Sequence, residues 1–103
     1  MKIKEESQQK AIAIPEGKID ITNSQEIKER LLELIEEEFT EIVVDFTNVD
    51  NVDSSGLGKL LLLHKRLKEK GGKLKIVNVS SDYVRKMFSM IHLNKVLDIE
   101  GVE

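Results

Sequence analysis

The chain has 103 residues, 40% hydrophobic and 34% charged, the size and balance of one folded domain rather than of two domains or a disordered segment. It has no cysteine and two histidines, His64 and His92, which removes disulfide frameworks, thiol catalysis and most histidine-based metal sites. A formal charge of -3, no Trp, one Tyr and three Phe argue against a nucleic-acid binder, which would neutralise phosphate and stack bases.

The start, Met1-Lys2-Ile3-Lys4-Glu5-Glu6, turns acidic at once and does not read as a signal peptide. Uninterrupted apolar runs such as Leu60 to Leu63 are far below the roughly 20 residues of a bilayer span. The expectation is a single cytoplasmic domain over residues 1–103, with no membrane contact.

Residues 2–7 alternate weakly and predict an edge strand. Ser7 to Lys10 predicts a hairpin turn into a second strand, Ala11 to Ile14, which Pro15-Glu16-Gly17 ends. Ile19 and Ile21 continue an extended stretch, with Asp20 between them on the other face. Asn23 or Ser24 then caps a helix over about 23–38, with Glu26 placed for a capping box. Ile27, Leu31, Leu34, Ile35 and Phe39 form its inner stripe, and Glu36-Glu37-Glu38 is a solvated face. Glu41-Ile42-Val43-Val44-Asp45-Phe46 is nearly continuously apolar, as a central parallel strand should be.

A polar loop from Thr47 leads to a second helix, from Gly56 to about Lys70, with Leu57, Leu60, Leu61 and Leu67 inward. Gly71-Gly72 stops it. Lys73 to Val79 is a strand, and Ser80 or Ser81 caps a third helix with Tyr83, Val84, Met87 and Phe88 on one side. Met87, Phe88, Met90 and Ile91 are more apolar groups than so short a helix can bury, so some should be exposed. Val96 to Ile99 is a last short strand. The order β-β-α-β-α-β-α-β defines an α/β fold: a small mixed, mostly parallel sheet with helices and an antiparallel N-terminal edge strand.

In such sheets ligands and partners meet the loops beyond the carboxyl ends of the strands. Two polar clusters fall there: Gly17-Lys18-Ile19-Asp20, and Asn48 to Gly58, which holds Asp53-Ser54-Ser55-Gly56-Leu57-Gly58. The hydroxyls of Ser54 and Ser55 stand where a helix begins, placed to accept from its unpaired N–H groups. Gly56 and Gly58 open the backbone to close approach. A helix N-terminus welcomes an anion, so a phosphate on Ser54 would be tolerated by the fold. With Asp53 and Asp50 nearby it would make the patch strongly anionic and repel a partner docked on hydroxyls, glycines and Leu57. The same residues also suit ordinary capping, and both readings stand at this point.

Enzyme motifs fail on spacing. A nucleophile elbow needs Gly two residues before the serine, where Val52 or Asp53 stands. A P-loop needs Ser or Thr after Gly58-Lys59, where Leu60 stands, and Gly in place of Asp53. His64 is ten residues along the helix from Ser54, about 15 Å, and is no base for it. A receiver-type phospho-aspartate domain would want an acidic pair where Pro15-Glu16-Gly17 stands. A small hydrolase using Ser54 has neither base nor oxyanion partner.

Asp53-Ser54-Ser55-Gly56-Leu57-Gly58 resembles the phosphorylation motif of the bacterial anti-sigma factor antagonists of the STAS domain family. Gly17-Lys18-Ile19-Asp20 is similar to that family's Gly-x-Leu-Asp, and Ile42 to Phe46 to its central strand. Gly71-Gly72-Lys73-Leu74 resembles its turn into the next strand, and Val84-Arg85-Lys86-Met87-Phe88 its third helix. The similarities run in order over residues 10 to 99. The resemblance implies that Ser54 is the phosphoacceptor and that Asp53, Ser55, Gly56, Leu57 and Asp20 frame a partner surface. It implies that the unphosphorylated form binds an anti-sigma factor, often itself a serine kinase, and so releases a sigma factor for transcription. A PP2C-type phosphatase would reverse the mark. The chain would then be a binding module and not an enzyme, with no cofactor or metal of its own and no direct contact with nucleic acid. The alternative is a STAS scaffold or ligand-binding module in a sensory assembly, never phosphorylated.

Overall fold

The computed structural model describes residues 1–102. Its first hairpin follows from Ser7, whose Oγ accepts from the amides of Gln9 (3.2 Å) and Lys10 (3.0 Å) and so closes the turn. This sets β1 (Lys2–Glu5) antiparallel to β2 (Lys10–Ile14), with Lys2 opposite Ile14. β4 (Glu41–Asp45), β6 (Lys73–Val77) and β7 (Asp98–Ile99) add in parallel, giving the order β1-β2-β4-β6-β7. The expected mixed, mostly parallel sheet with an antiparallel N-terminal edge is present.

Register decides what each face carries. Ile3, Ala13, Val44, Ile76 and Ile99 align across the five strands on one face. The helices pack there: Leu31, Leu34 and Ile35 of α1 (Ser24–Glu36), Leu60, Leu63 and Leu67 of α2 (Ser54–Glu69), and Val84 and Phe88 of α3 (Asp82–Met90) join one apolar cluster with it. The next row, Lys4-Ile12-Val43-Lys75-Asp98, points the other way. Val43 is buried yet stands outside that cluster. The run Ile42-Val43-Val44 therefore does not have helices on both sides. Val43 lies between Ile12 and Lys75, whose aliphatic stem can shield it while the ammonium reaches Glu100 at 3.3 Å.

Two strands were not expected. β3 (Glu16–Ile19) follows β2 at once after Pro15, and β5 (Asn48–Val52) occupies the supposed polar loop. They pair with each other in parallel as a separate two-stranded sheet. Val49 and Val52 are buried and hold β5 to the core. The chain turns away after β3, so Ile21 does not extend the strand but lies in a turn, 77% exposed.

Helix ends correct other expectations. Asn23 sits at the N-cap of α1, but its side chain makes no bond to the helix, so there is no capping box. Ser81 does cap α3, accepting from the Val84 amide at 3.2 Å. α2 ends in a Schellman turn: Gly71, at φ +76, donates to the Lys68 carbonyl and Gly72 to that of Leu67. On α2 the inward stripe is Gly56, Leu60, Leu63 and Leu67, with Leu61 exposed; on α3 Tyr83 is exposed rather than inward. Phe46 and Phe88, both fully buried, meet with ring centroids 5.8 Å apart.

Candidate functional site

β3 and β5 run in parallel with Ile19 opposite Val52, so the residues that follow them emerge side by side. Asp20 follows one strand and Asp53 the other. The amide of Asp53 donates to the Ile19 carbonyl at 3.0 Å. Two polar segments more than thirty residues apart in sequence are joined in this way at the carboxyl ends of the small sheet.

Asp53 is the N-cap of α2, with extended backbone. One carboxylate oxygen accepts from the Gly56 amide at 2.9 Å, and the other from the Ile21 amide at 3.1 Å. The cap is therefore this carboxylate and not a serine hydroxyl, contrary to expectation. Ser54 is the first residue of the helix and is exposed; Ser55 is half-buried. With Asp53 serving the first-turn amide, the Ser54 hydroxyl is not committed to holding the helix start.

Gly56 is buried, and a Cβ there would stand 2.7 Å from the Ile19 carbonyl oxygen and 2.8 Å from its Cγ2. Its lack of a side chain lets the helix start close onto β3; it lies behind the surface rather than on it. Gly58 is exposed, with open space where a Cβ would be. Leu57 is half-buried against the core.

Asp20 is half-buried and folds back on its own turn. Its carboxylate accepts from the Thr22 hydroxyl and, at 2.9 Å, from the Thr22 amide. These two bonds, first the hydroxyl and then the amide, hold its carboxyl below the ordinary range. Asn23 completes the turn: its Oδ1 accepts from the Asp20 amide at 2.9 Å and its Nδ2 donates to the Lys18 carbonyl at 2.6 Å. Thr22 and Asn23 were not among the expected frame residues; the signal for them is Asp-x-Thr-Asn after a strand, a turn that bonds to itself.

His64 lies half-buried farther along α2, its Nδ1 enclosed without a partner, and burial followed by the nearby Lys68 charge lowers its pKa. No group of three His, Cys, Asp or Glu able to hold a metal ion exists among the described residues. An open cleft of about 640 Å³ runs between Met1, Lys2, Pro15 and Glu16 and the Asn23 to Glu33 side of α1, and no residue from Asp50 to Leu61 lines it. No described helix is long and apolar enough to cross a membrane.

The site is thus an exposed serine on a carboxylate-capped helix start, beside a parallel strand pair. The STAS domain family model matches residues 3–102, and the chain belongs to that family. Its relatives include anti-sigma factor antagonists and, at 31% identity over 88 residues, 74% of this chain and 14% of that protein, the low affinity sulfate transporter 3 of Stylosanthes hamata. The anti-sigma-B factor antagonist of Bacillus subtilis (strain 168) is 31% identical over 85 residues, covering 82% of this chain and 76% of that protein. Among solved structures, the anti-sigma factor antagonist SpoIIAA in its unphosphorylated form superposes with a TM-score of 0.82 at 22% identity, over 95% of this chain and 85% of its own. The phosphorylated form of the Bacillus cell fate determinant SpoIIAA gives 0.74 at 20% identity, over 95% and 88%. At those identities the two structures speak for the fold.

Proposed function

We propose that this chain is an anti-sigma factor antagonist acting as a phosphorylation-switched binding module. The unphosphorylated form binds an anti-sigma factor, releasing a sigma factor for transcription in the cytoplasm. The anti-sigma factor, a serine kinase, moves the γ-phosphoryl group of ATP to Ser54 Oγ; the bond to the β-phosphate breaks, ADP leaves, and the hydroxyl proton passes to the kinase. A PP2C-type phosphatase hydrolyses the ester. ATP and its magnesium belong to the kinase, and this chain does no catalysis.

The observation that carries the reading is the Ser54 hydroxyl, exposed at the positive end of α2 while Asp53 holds the cap. A phosphate of roughly −1.5 to −2 charges is accommodated at a helix N-terminus without unfolding it. It would stand next to the Asp53 carboxylate and between the partner and Leu57 and Gly58. A partner that covers the site would then have to desolvate a dianion, at a cost of several kcal/mol by the usual measure of burying unpaired charge. Asp20, Asp53, Ser55 and Leu57 frame the covered surface, and Gly56 sets its shape from behind.

The test is incubation with anti-sigma factor kinases of the source organism and ATP, read by intact mass and site mapping, with binding measured in parallel. One phosphoryl group on Ser54 and none on Ser54→Ala is expected. Ser54→Ala should stay bound in the presence of ATP, and Ser54→Asp should bind poorly. If Ser54→Ala and Ser54→Asp bind alike, the switch is refuted. Binding that is unaffected by ATP, without phosphoryl uptake, favours an unmodified scaffold instead.

A further inference from the structure

The geometry points to Ile21 as the apolar anchor that seats the anti-sigma factor over Ser54, an inference that rests on the function just proposed. Ile21 is 77% exposed, and its backbone amide is held by the carboxylate of Asp53, the residue before Ser54. The turn that carries Ile21 is therefore fastened to the residue before Ser54, and a partner docked on Ser54 would lie against this turn.

An isolated surface isoleucine is unremarkable by itself; two further observations set this one apart. The turn that carries it is rigid. Besides the Asp53 bond, the Thr22 amide and hydroxyl are held by Asp20, and Asn23 ties the Asp20 amide to the Lys18 carbonyl. A partner meets an anchor that is already ordered, so little conformational entropy is lost on binding. Nor is the anchor alone. Ser54, Gly58 and Leu61 follow at helical spacing along one stripe of α2; Gly58 is open and Leu61 is exposed. Ser54 and Leu61 end a strip of α2 with the bare backbone of Gly58 between them, and the Ile21 turn is tied to α2 at its N-cap, Asp53.

This arrangement explains why a mark on Ser54 would be effective. Apolar contact with Ile21 requires water to leave the strip. A phosphate beside that contact must be stripped of its own water or hold the strip wet, and either weakens the complex. A polar docking surface would be far less sensitive. The occupant is thus an anti-sigma factor offering an apolar socket beside its nucleotide site.

The experiment uses the full chain and purified anti-sigma factor kinases of the source organism without ATP, with binding followed by titration calorimetry. Wild type, Ser54→Asp, Ile21→Ser and Ile21→Leu are compared, with melting temperature and sedimentation velocity of each chain alone. The expected result is a loss of about tenfold to a hundredfold in affinity for Ile21→Ser, as for a truncated interface anchor, near-complete recovery in Ile21→Leu, and an unchanged melting temperature. If wild type binds, Ser54→Asp does not, and Ile21→Ser binds as wild type, the anchor is refuted while the switch stands. If wild type binds none of the kinases, the proposed function fails and the anchor with it. If wild type self-associates and Ile21→Ser abolishes this, the occupant is a second copy of the chain and the proposal is overturned.

Discussion

Asp53 and Ile21 lie 32 positions apart in sequence, and a single 3.1 Å hydrogen bond from the Ile21 amide to Asp53 Oδ2 makes them one structure. The other Asp53 oxygen holds the Gly56 amide. One carboxylate thus starts α2 and fixes the turn after β3. The acidic residue of the motif is structural here, which frees the serine beside it.

Asp53→Ala should lose the cap and the crosslink together, costing about 1–2 kcal/mol of folding stability. Asp53→Asn keeps one acceptor oxygen, enough for the cap, but sets an NH2 donor against the Ile21 amide if it does so. Its cost should lie between wild type and alanine. Urea denaturation of the three chains checks the order; an alanine variant as stable as wild type would show the carboxylate dispensable.

The two motif glycines should respond with opposite signs. Gly56→Ala drives a methyl to within 2.7 Å of the Ile19 carbonyl, a backbone atom that cannot step aside cheaply. A loss of about 1–3 kcal/mol is expected from such overpacking. Gly58→Ala meets open space on the exposed face of α2 and should gain about 0.5–1 kcal/mol from helix propensity. Thermal melts of both, each compared with wild type, decide the signs.

The sequence carried the main sheet, the three helices and the motif's position because these are written in strong local patterns. Ile42 to Phe46 is nearly continuously apolar, Gly71-Gly72 reads as a helix stop, and Ile27, Leu31, Leu34 and Ile35 keep helical spacing. β5 was hidden for two reasons. Asn48, Asp50 and Asn51 are poor strand formers, and the register shifts opposite Gly17-Lys18, leaving Asp50 with no opposite residue on β3. Val49 and Val52 therefore both face inward although they stand three apart, which an alternation of two cannot reveal. Leu60 to Leu63 is apolar throughout, so only packing could decide that Leu63 is inside and Leu61 outside. Ile21 continued the alternation with Ile19 on paper. The self-bonded turn at Asp20, a matter of side-chain geometry, sends it outward instead. At the site, the position of Ser54 was legible, but the division of labour between Asp53 and the serines was not.

Glu38 ends α1 in a left-handed conformation, at φ 74, with its amide on the Ile35 carbonyl and that of Phe39 on the Leu34 carbonyl. This is the same closing turn as at Gly71, made by a residue with a Cβ. Buried Phe39 locks the chain into it. Glu38→Gly should therefore relieve about 1 kcal/mol of backbone strain. A rise in the urea midpoint without a change in slope is the expected signature.

His64 supplies a pH dependence of its own. Burial of its ring, with Lys68 adding to the effect, lowers its pKa in the folded chain, and its enclosed Nδ1 has no partner to reward protonation. The unfolded chain binds the proton more readily, so below the ordinary histidine value of about 6.5 protons favour unfolding. Stability contributed by neutral His64 is complete above that value and declines as the pH falls toward the folded pKa. Asp20 and Asp45 shift the same way at lower pH, because their folded pKa values are depressed; for Asp45 burial opposes the shift but bonds from Thr47 and Asn78 outweigh it. The histidine effect is therefore to be read between about pH 7.5 and 5.5, above the carboxylate range. Urea midpoints of wild type should fall across that interval. In His64→Gln, which cannot titrate, the midpoint should stay nearly level, and a parallel fall in the variant would show that His64 is not the source of the dependence.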